Sequence, residues 1–96
     1  MLFVSIGKFK AASTTRQRVA RRVGWKYPMG MRVIAEYWLQ TTDPALPGLI
    51  VISESDDVAP IMKAIAEWDD FMDLTVVPAL TAEQGLELAG KLAAAP

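Results

Sequence analysis

"MRVIAEYWLQTTDPALPGLIVISE", residues 31–54, holds two apolar stretches separated by a turn with two prolines, Pro44 and Pro47. The first stretch, 31–40, is rich in β-branched and aromatic residues, which favours a strand. Val33, Ala35, Tyr37 and Leu39 alternate in it with Arg32, Ile34, Glu36 and Trp38. The second stretch, 49–54, is apolar enough for the middle of a sheet. The connection 41–48 is short, so the two strands are expected to pair as an antiparallel hairpin.

On the N-terminal side, "MLFVSIGKF" (1–9) reads as a strand and "STTRQRVARRVG" (13–24) as a helix. Thr14 and Gln17 have capping-box spacing, Gly24 suits a C′ position, and Arg21 and Arg22 suit the negative end of the dipole. The helix's apolar stripe is thin: Ala12, Val19, Ala20 and Val23. On the C-terminal side, 55–68 reads as a helix capped by Asp56 or Asp57, with Pro60 in its first turn. Val58, Ile61, Met62, Ile65 and Trp68 share one helical face. Residues 71–80 read as a strand ended by Pro78, and 81–96 as a last helix opened by a Thr81–Gln84 capping box. Gly85 and Gly90 weaken that helix.

The order is therefore β-α-β-β-α-β with one extra helix. That is the α+β, ferredoxin-like split βαβ arrangement: a four-stranded antiparallel sheet with two helices on one face. Right-handed crossovers give the strand order 4-1-3-2. The chain is expected to form one domain over 1–96, with its core in 1–80 and a C-terminal helix and tail in 81–96. The sheet face away from the two helices carries too many apolar side chains to stay wet. It is expected to meet a second copy or the C-terminal helix.

The composition excludes several chemistries. Of 96 residues, 52% are hydrophobic, enough for one modest core. There is no cysteine, so disulfides, thiolate metal sites and cysteine nucleophiles are ruled out. There is no histidine, which removes the commonest metal ligand and the usual neutral-pH base. The N-terminus lacks a basic segment before its apolar stretch, so no signal peptide or membrane anchor is expected. With the absence of cysteine, this points to the cytoplasm.

The charges are sorted along the chain. Residues 1–35 hold eight bases and no acid, and residues 36–96 hold all eleven acids. Glu67, Asp69, Asp70 and Asp73 crowd the negative end of a helix dipole, where bases are favoured. The expectation is that the fold brings the basic third of the chain against them.

The pieces "GMRVIAEYWL" (30–39) and "VISESDDVAPIMKAIAEWDDFMDLTVVPAL" (51–80) resemble a group of small prokaryotic domains of unknown function. The resemblance rests on Gly30, on Glu54 with Asp56 and Asp57, on Trp68 and on Pro78. The group is related to the dimeric α+β barrel superfamily, in which two ferredoxin-like sheets face each other. It implies a homodimer. Relatives with this architecture include cofactor-free monooxygenases, haem-degrading enzymes, lactone isomerases and stress-induced proteins, so the fold selects no activity. The histidine that many of them use is missing here.

The hairpin offers the candidate site. If Glu36 pairs with Ile52, then Ile34 pairs with Glu54, and both glutamates share one sheet face. Arg32 would bind a carboxylate or tune a glutamate, and Trp38 would supply an apolar wall. Glu36 and Glu54 are the candidate catalytic groups; Arg32, Glu36, Trp38 and Glu54 are the candidate ligand-binding residues. The competing reading is an ion pair at a sheet edge or dimer interface. A one-residue slip would separate the glutamates.

Other constellations read as structure. "ESDD" and "EWDDFMD" lack EF-hand spacing, so no metal and no other cofactor is expected. The basic helix with Trp25 and Tyr27 reads as a solvated face. The strand neighbouring 1–9 has no aromatic, so RNA-type stacking fails and no nucleic-acid partner is expected. Tyr27 and Tyr37 read as packing residues. Gly7 either opens room for a ligand or marks a bulge. The leading functional reading is a dimeric small-molecule-binding or regulatory domain. The alternatives are a cofactor-free monooxygenase- or isomerase-like enzyme and a structural or interaction module.

Overall fold

The two most apolar strands take the centre of the sheet, because only there are both edges hydrogen-bonded. A computed structural model describes residues 1–94 and gives β1 (Leu2–Phe9), α1 (Thr15–Gly24), β2 (Arg32–Trp38), β3 (Leu49–Glu54), α2 (Ala59–Trp68), β4 (Met72–Ala79) and α3 (Ala82–Ala94). The sheet is antiparallel with order β2-β3-β1-β4, the expected 4-1-3-2 read from the other edge. The last two residues expected in the C-terminal helix, 95 and 96, lie outside the described residues.

Strand pairing sorts the faces. Phe3, Ser5 and Gly7 of β1 stand opposite Ser53, Val51 and Leu49 of β3, and opposite Pro78, Val76 and Leu74 of β4. This face meets α1 and α2, whose inward residues include Val19, Ile61, Ile65 and Trp68. The core is small: Phe3, Val51, Ile61, Trp68 and Met72 are buried.

Several boundaries differ from the sequence reading for local reasons. The Thr14–Gln17 box forms in full and starts α1 at Thr15. Gly24 is the last helical residue rather than a left-handed cap, and extended Trp25 closes the helix. At α2, Val58 occupies the N-cap. Asp57 still serves the end, its Oδ1 accepting from the Ala59 N–H at 2.7 Å. Pro78 does not end β4; the strand runs on to Ala79, as an edge strand tolerates. Val58 and Met62 point outward, so the buried stripe of α2 is narrower than its apolar periodicity suggested.

Gly7 marks no bulge, since its register with both neighbours is unbroken. A Cβ there would lie 2.9 Å from Met72 Sδ, so the missing side chain is what lets Met72 close over the sheet. Gly48 is the tighter case. A Cβ there would sit 2.1 Å from Phe9 Cε2, so the Phe9 ring lies directly on its backbone.

Among the described residues, no element covers the other sheet face. It presents Val4, Ile6, Ile50 and Ile52, half-buried, with Tyr37 and Val77 exposed. Helix α3 does not cover it: the helix has no buried residue, and Leu86, Leu88 and Leu92 are exposed. The radius of gyration, 15.9 Å, exceeds the roughly 12–13 Å of a compact chain of this length, as a projecting helix requires. None of the described helices is long and apolar enough to cross a membrane.

Candidate functional site

The hairpin register is not the expected one. Arg32 pairs with Glu54 and Val33 with Ser53, but Ala35 then pairs with Ile52 and Glu36 with Val51. Ile34 is the extra residue of a β-bulge, and a bulge shifts the alternation by one. Arg32 and Glu54 therefore lie on the open face, where they form an exposed ion pair. Glu36 and Trp38 lie on the helix face. The two glutamates do not share a site, and the four candidate residues split into two pairs on opposite sides of the sheet.

Glu36 is the centre of what the helix face assembles. Helix α1 ends beside β2, and Arg22 in its last turn sends Nε to Glu36 Oε2 at 3.0 Å and Nη2 to Oε1 at 3.0 Å. Tyr27 Oη donates to Oε1, and the Trp38 indole donates to Oε2 at 2.6 Å. Arg22 is itself fixed by Nη1 donating to the Trp25 carbonyl at 3.2 Å. Burial pushes the Glu36 carboxyl up, but hydrogen bonds from Arg22, Tyr27 and Trp38 and the Arg22 charge outweigh it. The group is held below its ordinary value. The Tyr27 phenol is pushed far above its ordinary value, first by burial and then by its bond to the Glu36 anion. The site thus holds a carboxylate locked in its charged form, not one poised to take a proton near neutrality.

Behind this cluster, between the helices and the sheet, is a cavity of about 190 Å³. Its apolar wall comes from α2 (Ile61, Ile65, Trp68) and from Leu49, Val51, Met72 and Leu74 of the sheet. All three tryptophans of the chain, Trp25, Trp38 and Trp68, line it. Trp25 stands edge-on to Tyr27 at 4.7 Å and to Trp68 at 5.6 Å, so the ring wall is braced from both sides.

Two of the four acids at the end of α2, Asp70 and Asp73, meet bases from the N-terminal third of the chain. Arg21 makes a two-pronged pair with Asp70 at 2.6 and 2.8 Å and donates to the Glu67 carbonyl at 3.1 Å. The Trp25 indole donates to Glu67 at 2.6 Å, and Lys10 lies 3.7 Å from Asp73. Among the described residues no three metal-ligating side chains converge.

Arg18, Arg22, Trp25 and Tyr27 all line the cavity, where the sequence alone suggests a solvated face or plain packing. The signal was present: Thr15, Arg18, Val19 and Arg22 fall on one side of α1 at helical spacing. A search for an apolar stripe passes over a stripe built from arginine stems.

Comparison with curated proteins and with solved structures finds no match. A family model described as a domain of unknown function (DUF3303) matches residues 1–93. With that match covering six elements in full and α3 to its penultimate residue, the chain belongs to the DUF3303 family.

Proposed function

We propose that this protein is a small-molecule-binding or regulatory domain, a cytoplasmic homodimer whose ligand occupies the cavity between the helices and the sheet. The observation that carries the reading is the cavity itself: an apolar interior of about 190 Å³ with an ordered cluster of Arg22, Tyr27, Glu36 and Trp38 in its wall. Ligand sites combine an apolar body with a few fixed polar groups in this way. Glu36 has both oxygens engaged and is held ionised, so its role is to orient Arg22 and Trp38 rather than to abstract a proton.

A screen of small aromatic and aliphatic compounds, read by intrinsic tryptophan fluorescence, tests the reading. Saturable changes are expected, since every tryptophan faces the cavity. A ten-atom ligand gaining about 0.4 kcal/mol per heavy atom binds at roughly 1 mM. A flat response to all compounds at several millimolar contradicts a ligand role.

The homodimer rests on the uncovered sheet face. Its Ile50, Ile52, Val4 and Ile6 form a continuous apolar surface across the two central strands. Sedimentation equilibrium at tens of micromolar is expected to give twice the 10.5 kDa chain mass. Ile52→Lys, a charge in the middle of that face, is expected to give monomers. A wild-type chain that sediments at 10.5 kDa contradicts the dimer.

A further inference from the structure

The charges lining the cavity do not cancel. They are Arg18, Arg22 and Glu36. Arg22 and Glu36 neutralise each other, and Arg18 has no carboxylate within ion-pair distance among the described residues. The guanidinium is nonetheless held in place. Its Nη1 donates to the Ser13 carbonyl and to Ser13 Oγ, both at 2.9 Å, and its Nη2 donates to Thr15 Oγ1 at 3.1 Å. Ser13 is buried and anchored in turn, its hydroxyl within 3.0 Å of the Lys10 and Phe71 carbonyls. The guanidinium carbon lies over the Phe9 ring, 3.7 Å from its centre.

Among the described residues, this leaves the Arg18 Nε–H and one Nη2 hydrogen without an acceptor. Burial lowers the Arg18 pKa, as expected of a cation partly stripped of water with no anion beside it. Asp43 shares an adjoining recess with Arg18, but among the described residues the two form no ion pair, and the Asp43 Oδ1 accepts from the Ala45 N–H. A fixed, unpaired guanidinium beside an apolar hollow is arranged for a ligand anion.

We propose that the cavity takes a small organic carboxylate, a single ring or a short chain of about the size of benzoate or hexanoate. The carboxylate sits at Arg18 and the apolar body among Ile65, Trp68 and Met72. The size follows from the volume: an apolar cavity of about 150 Å³ is enough to hold benzene. This proposal rests on the cavity being a ligand site.

The test is calorimetric titration of the wild-type protein with benzoate and hexanoate, each against its neutral partner, benzyl alcohol and hexan-1-ol. The carboxylates are expected to bind about 10-fold or more tightly than the alcohols, the range of a hydrogen-bonded charge. Arg18→Gln is expected to erase that difference and leave alcohol binding in place; Arg18→Lys is expected to keep part of it. Circular dichroism melting shows whether each variant folds. Should Arg18→Gln unfold, the wild-type preference and its weakening in high salt decide the matter. Equal binding of all four compounds, or a preference that survives in folded Arg18→Gln, overturns the anion assignment alone. No binding of any of the four overturns the cavity reading with it.

Discussion

Glu36→Gln is expected to lower the unfolding free energy by about 2–4 kcal/mol. The substitution leaves the Arg22 guanidinium without its counter-charge and weakens the acceptors for Tyr27 and Trp38. Removing one partner of a fully buried pair costs about 3–5 kcal/mol. The figure is set lower here because the Arg22 side chain is 32% exposed and the Glu36 side chain 15%. A combined Arg22→Met, Glu36→Gln variant is expected to cost less than the sum of the single changes, since the two groups share their bonds. Urea unfolding measures all three.

The same residue gives a signed pH dependence. The folded-state pKa of Glu36 lies below its ordinary value of 4.5, so its contribution is complete above that value. The contribution is lost as pH falls through the depressed folded value. The gap between wild type and Glu36→Gln is therefore constant around neutrality and closes in acid. Tyr27 acts at the other limb. Its folded pKa is raised, so its contribution is complete below the ordinary value of 10.0 and is lost as pH rises toward the raised value. Tyr27→Phe removes that alkaline loss.

Trp68→Ala is expected to cost about 3–5 kcal/mol. Trp68 is 7% exposed and packs edge-on against Trp25 at 5.6 Å and Phe71 at 6.2 Å. Removing the ring joins its volume to a cavity that is already open, so the neighbours have little to collapse onto. A chain of this length has a total stability of roughly 5–14 kcal/mol, so the variant loses a large share of it. The melting temperature is expected to fall by roughly 15–30 °C. Thermal unfolding followed by far-ultraviolet circular dichroism reads the shift. A variant melting within a few degrees of wild type contradicts a structural role for the ring.

The fold was legible because its signals are redundant. The strand at 49–54 was placed to the residue, both capping boxes form, and the strand order follows from crossover handedness. That the basic third of the chain meets the acidic end of α2 was legible from charge sorting; Arg21 as the partner of Asp70 was not. The site was legible only in part. Glu36 and Trp38 were singled out and do line one cavity. Arg32 and Glu54 were lost to the bulge at Ile34, which no glycine or proline announces and which period-two alternation passes over. Arg22 was missed because a basic helix reads as wet until the strand beside it is known, and Tyr27 because a tyrosine in a connection reads as packing.

A binding site and a packing defect differ in whether the cavity takes up a ligand. The most direct measurement is a ¹H–¹⁵N spectrum titrated with benzoate. Its three indole N–H resonances report on Trp25, Trp38 and Trp68, which all line the cavity. Saturable shifts of these signals and of the Ile65 amide are expected, with Tyr37 and Val77 on the open face unmoved. Shifts confined to the open face, or an unchanged spectrum at several millimolar benzoate, would contradict a binding role for the cavity.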